Sequence, residues 1–142
     1  MHQIESMIGL TLARTSHCHR LRAAEALAAY DLHPGQELLL LQLFEAEGLM
    51  QSQFSARLGI EPPTISKSLH KLESAGLITR RVDAEDGRIV RIYLTDRGRA
   101  LEADILDVWH TLEAQTLQGL TDVEQIVLRR LLLQIQHNLR AY

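Results

Sequence analysis

Between Gln51 and Gly98 the chain sets a proline-led amphipathic segment, a glycine stop and two alternating apolar runs in immediate succession, an order that few folds accommodate. From Pro62 to Ala75 the apolar residues Ile65, Leu69 and Leu72 recur at i, i+4 and i+7, which predicts a helix with one narrow stripe that must pack. Pro62 and Pro63 suit the first turn of that helix, and Gly76 suits the left-handed position that closes it. Upstream, Phe54, Ala56, Leu58 and Ile60 bracket Gly59, which can take the positive φ of a sharp turn between two helices. The predicted unit is a helix-turn-helix. Leu77 to Val82 and Ile89 to Leu94 then read as two strands, the second with Val90, Ile92 and Leu94 inward and Arg91 and Tyr93 outward. The polar link from Asp83 to Arg88 bends at Asp86-Gly87.

The other face of the second helix carries the chemistry. With Pro63 at its start, Thr64, Ser66, Lys67, His70 and Lys71 project away from the apolar stripe, and these side chains can donate hydrogen bonds to phosphates or base edges. A helix held by one face and offering donors on the other suits a DNA major groove. Arg88, at the hairpin tip, can reach a minor groove, where a narrow channel concentrates negative potential. Arg80, Arg81 and Arg91 read as phosphate contacts or strand-face charges rather than readers of sequence. The net charge of -3 argues against a general polyanion binder, so the distribution decides. Thr64 to Arg99 holds eight Lys/Arg against five Asp/Glu, a surplus of +3, which leaves -6 on the rest of the chain. Contact with nucleic acid is thereby confined to the helix and the hairpin.

The run Leu72-Glu73-Ser74-Ala75-Gly76-Leu77-Ile78, then Arg80-Arg81, Asp83, Asp86-Gly87-Arg88 and Leu94-Thr95-Asp96-Arg97-Gly98, resembles the winged helix-turn-helix of the MarR family of bacterial transcription regulators. Leu32-His33-Pro34-Gly35-Gln36 and the leucine-rich segment after it resemble the family's second helix, and the flanking helices resemble its dimerisation region. The resemblance implies a mainly helical α+β fold with a small β wing. It divides the chain into a DNA-binding part at 32–99 and dimerisation helices at 1–31 and 100–142. It further implies a homodimer that binds an inverted-repeat operator in double-stranded DNA and represses until a small-molecule inducer binds. It makes Arg88 the minor-groove residue, oriented by Asp86.

The remaining segments fit that scheme. Ile4 to Tyr30 reads as one long first helix with apolar residues over more than one face, and Gly35 to Glu47 as the main core helix. Leu49-Met50 could pair briefly with the wing. Thr95 can cap a helix running to about Leu117 with the stripe Leu101, Ile105, Val108, Trp109 and Leu112; Gly119 then breaks that helix. Thr121 and Glu124 form a capping box for a last helix to Leu139, apolar round much of its circumference. Such surplus apolar surface on the first and last helices predicts association with a second copy. An inducer pocket is expected between the helical arms and the DNA-binding part, near His17 and Trp109.

The start MHQIESM lacks the pattern of a signal peptide, and no apolar run reaches the length of a membrane span, so a cytoplasmic location with no membrane partner is expected. The single Cys18 fits a reducing compartment and reads as an inert buried thiol. His17 and His19 lie about 200° apart on a helix, so they cannot share an ion without outside help, and no metal or cofactor is expected. The chain carries no nucleophile elbow, phosphate-binding glycine loop or paired-cysteine zinc spacing, so it does not read as an enzyme. The rival readings are a helical adaptor that binds a protein partner without DNA, and a metal- or redox-sensing member of the same family.

Overall fold

A computed structural model describes residues 3–140 of the chain. A 3-10 turn at Gln3–Ser6 precedes α1 (Ile8–Leu27), and another at Ala28–Tyr30 follows it. Next come α2 (Gln36–Glu45), α3 (Gln51–Leu58), α4 (Pro62–Ser74), β1 (Ile78–Val82) and β2 (Val90–Leu94). The chain ends in α5 (Asp96–Ala100), α6 (Glu102–Leu117) and α7 (Asp122–Arg140). The predicted first helix is therefore shorter at both ends. At its C-terminus Asp31 takes a left-handed φ of 56°, a conformation aspartate tolerates better than most residues. Residues 1, 2, 141 and 142 of the predicted arms lie outside the described residues.

α2 is the element around which the core forms, because Leu39, Leu40 and Leu43 are buried and it packs on α3, α4, α6 and β2. α4 closes one side with Ile65, Leu69 and Leu72, each at most 1% exposed, as the periodicity requires. Burying such a side chain is worth about 1.5–3 kcal/mol, so this stripe alone anchors the helix. Phe54 of α3, Ile92 and Leu94 of β2 and Ile105 of α6 complete the cluster. α1 joins it through Ala23 and Leu27 and packs along α6.

The hairpin is antiparallel, with Ile78 opposite Leu94 and Val82 opposite Val90. Its base is inside and its tip is not. Val90, expected to face inward, is exposed together with Val82, because the strands run past the edge of the core. The segment before α3 acts as a short third strand. The Gly48 N–H donates to the Ile92 carbonyl at 2.9 Å, and the Ile92 N–H donates to the Leu49 carbonyl at 2.9 Å.

Thr95 caps the next helix as expected. Its Oγ1 accepts from the Gly98 N–H at 3.1 Å while its hydroxyl donates to the Gly76 carbonyl at 2.6 Å. The helix expected from Thr95 to Leu117 is instead broken at Leu101 into α5 and α6. The apolar stripe runs on across the break: Ile105 and Leu112 are buried, and Leu101, Val108 and Trp109 pack on the core. α7 opens with the predicted capping box, the Thr121 N–H donating to Glu124 Oε2 and the Glu124 N–H to Thr121 Oγ1. None of its residues is buried; Val123, Ile126 and Leu139 are about 70% exposed.

Candidate nucleic-acid interface

The buried stripe of α4 leaves Pro63, Thr64, Ser66, Lys67, His70 and Lys71 exposed on the outer face. Among the described residues none of these side chains is tied up in a hydrogen bond or ion pair within the chain. Gly59 lies before the helix with φ 65°, making the sharp turn from α3 that the sequence called for. α4 thus presents a row of free donors from a rigidly anchored helix.

Beyond it stands the hairpin. Arg88 at the tip is 91% exposed at its side chain and faces Asp86 as a fork, Nε to Oδ1 and Nη2 to Oδ2, both at 3.1 Å. The Arg88 N–H donates to the same Oδ1 at 3.0 Å. These hydrogen bonds from the Arg88 side chain and backbone hold the Asp86 carboxyl below its ordinary range. The aspartate gives the arginine a direction without removing it from solvent.

The other arginines divide by role. Arg80 is half-buried and meets Glu73 of α4 at 3.3 Å. Arg81 is exposed and lies over the Tyr93 ring, 4.6 Å from its centre, a cation–π arrangement. Arg91, expected as a phosphate contact or a strand-face charge, is engaged within the fold. Its Nε donates to Asp83 Oδ2 at 2.6 Å and its Nη1 to the Gly48 carbonyl at 3.0 Å, and only about a third of its side chain is exposed. The hydrogen bond from Arg91 holds the Asp83 carboxyl low, and Asp83 in turn raises the Arg91 guanidinium. The hairpin register contained a clue to this. Arg81 and Arg91 sit directly opposite one another, and like charges so placed repel unless one is engaged elsewhere.

Two acidic groups, one at the base of the wing and one in the first turn of α2, were not singled out by the residue pattern. Glu47 accepts the Leu94 N–H at 2.8 Å and two hydrogen bonds from Arg99 at 3.0 Å. Burial pushes its carboxyl up, but these donors outweigh it and the net displacement is downward. Glu37 is buried in the first turn of α2, where its Oε2 accepts the Gly35 N–H at 2.8 Å. Both act through backbone groups distant in sequence or inside a turn, which side-chain patterning does not reveal.

The expected ligand residues are not brought together. His17 is exposed on α1, whereas Trp109 is half-buried with its ring 5.8 Å from that of His19. A groove of about 1020 Å³ does open between α1, α6 and α7, but Cys18, His19, Arg22, Leu112, Arg129 and Leu132 are among its lining and neither His17 nor Trp109 is. Cys18, expected to be buried, is exposed on that wall because α7 stands away from α1. No three His, Cys, Asp or Glu side chains converge as a metal site among the described residues. No helix among them is long and apolar enough to cross a membrane.

Residues 32–90 match the family model of the MarR family. The chain is 32% identical over 113 residues to the HTH-type transcriptional regulator TtmR of Methylorubrum extorquens (strain PA1), covering 80% of this chain and 58% of that protein. The match therefore spans little more than half the length of that relative. The fold is similar to that of a probable transcriptional regulator from Pseudomonas aeruginosa, with 28% identity, a TM-score of 0.87 and coverage of 94% and 99% of the two chains. It is also similar to that of a MarR family regulator from Listeria monocytogenes solved with a 26mer DNA, with 21% identity, a TM-score of 0.87 and coverage of 96% and 91%.

Proposed function

The chain belongs to the MarR family, and from that premise we propose that it is a DNA-binding transcription regulator, a cytoplasmic homodimer that represses from an inverted-repeat operator and responds to a small molecule. Residues 32–99 form the reading head, and 1–31 with 100–142 form the dimerisation arms. The observation that carries this reading is the free donor face of α4 beside a projecting wing whose Arg88 is both aimed and exposed. Thr64, Ser66, Lys67 and His70 enter the major groove, Lys71 and Arg81 meet phosphates, and Arg88 enters the adjacent minor groove.

The second support is α7. A helix of nineteen residues with none buried leaves an apolar surface that a second copy can cover with the same patches used twice. Two-fold pairing sets two α4 helices about one turn of B-DNA apart, roughly 34 Å. The groove between α1, α6 and α7 adjoins that contact, so a small molecule held there would alter the spacing of the heads.

Mobility shift against duplexes selected by the protein from a random pool tests the reading. Wild type is expected to select an inverted repeat, and Lys67→Ala to bind it more weakly. Failure to retain any duplex at low salt would favour a helical adaptor that uses the α7 surface for a protein partner.

A further inference from the structure

A two-stranded hairpin is marginal by itself, and here the outer half of the wing has no core beneath it, since Val82 and Val90 are both exposed. Backbone pairing to the segment before α3 stops at Ile92. From there outward the tie to the body of the head runs through Arg91. Its Nη1 is on the Gly48 carbonyl at 3.0 Å, one residue from the Leu49 bridge, and its Nε is on Asp83 at 2.6 Å.

Asp83 is in turn the residue on which the tip is built. Its Oδ1 accepts the N–H groups of Glu85 at 2.8 Å and Asp86 at 3.3 Å, folding the loop into an Asx-type turn. Asp86 then holds Arg88. A continuous chain of contacts therefore runs from Gly48 through Arg91 and Asp83 to Asp86 and Arg88. Each link is a charged or backbone hydrogen bond. Arginine's planar fork suits the inner link, because one rigid group must satisfy a carboxylate and a carbonyl in different directions.

We propose that Arg91 is a positioning residue: clasped between the Gly48 carbonyl and Asp83, it fixes the angle of the wing so that Arg88 reaches the minor groove, and it makes no DNA contact of its own. The proposal rests on the DNA-binding reading. It makes an unusual demand of Asp83. An aspartate facing DNA ordinarily repels phosphate, so its removal should strengthen binding; as a link in this chain its removal should weaken it.

The test titrates a duplex selected by the wild-type protein from a random pool, remade with A·T-rich and with G·C-rich flanks. Arg91→Ala is expected to lose about tenfold on the A·T-rich form, as Arg88→Ala does, and much less on the G·C-rich form. The double variant should lose no more than either single one. Asp83→Asn keeps the turn acceptor but loses the charge, and it should also bind more weakly; Arg91→Lys should recover part of the loss. Tighter binding by Asp83→Asn, or Arg91→Ala losses that are equal on both flanks and add to those of Arg88→Ala, would make Arg91 a plain phosphate contact and overturn the proposal. If Arg91→Ala does not fold, the Asp83→Asn and Arg88→Ala pair decides alone. Wild type that selects no duplex would remove the DNA reading itself.

Discussion

Gly98 is held in a space that admits no side chain: a Cβ there would collide with the Leu77 carbonyl, a backbone atom that cannot move aside. The same carbonyl accepts the Thr95 N–H, so the Leu-Thr-x-x-Gly run is a joint locking α5 to the start of β1. Gly98→Ala should therefore cost about 3 kcal/mol or more, read as a lower thermal midpoint. A midpoint within a degree of wild type would show that the joint can give. On α4, Lys67→Ala should weaken duplex binding by about 1–3 kcal/mol and leave the midpoint unchanged, since the side chain is exposed. Glu37 makes a third claim at this scale. Burial holds its carboxyl above the ordinary glutamate value, against the pull of the N–H groups of Glu37, Gly35 and Leu38 and the charge of Arg20. The folded chain then takes up its proton more readily than the unfolded one, so this group's contribution falls as pH rises from 4.5 through the raised folded value. Glu37→Gln should melt no lower than wild type at pH 7 and show a flatter pH dependence above 4.5. A clearly lower midpoint at pH 7 would mean that the ionised contacts outweigh burial.

Among the elements, the wing and α7 carry separable predictions. Arg88→Ala should make the salt dependence of binding shallower by about one unit of slope and should cost most on A·T-rich flanks. Equal losses on all flanks would reduce Arg88 to a phosphate contact. Leu132 is about 43% exposed in the single chain, so Leu132→Glu should leave the fold intact and release a monomer, measured by light scattering. A dimer that persists would place the contact elsewhere. The elements differ in how well their own residues announce them. α4 was legible because Ile65, Leu69 and Leu72 repeat at helical spacing and prolines and a glycine mark its ends. The α7 start was legible from Thr121 and Glu124, whose capping bonds are local. The break at Leu101 was not, because the stripe from Leu101 to Leu112 keeps one period across it while its neighbour Gly98 is pressed on Leu77, a contact far along the chain. Val90 misled for a related reason: alternation marks the face of a strand, but not where the core beneath it ends. The engagement of Arg91 was not legible because its partners, Asp83 and Gly48, are eight and forty-three residues away.

At the scale of the whole molecule, charge and apolar surface are segregated. The positive surplus lies between Thr64 and Arg99, on the α4 face and the wing, and the apolar surplus lies on α7. A single chain joins these two surfaces without covering either. Two chains related by a two-fold axis would cover the second and set two copies of the first along one duplex. The groove is lined by residues other than His17 and Trp109, since placing a cavity requires the angle between α7 and α1, and no residue pattern reports it. The most direct measurement is the mass of the complex formed with a selected duplex, by light scattering at micromolar concentration. One duplex carrying two chains of 16.1 kDa each is expected. One chain per duplex, or a stable monomer that retains no duplex, would contradict it.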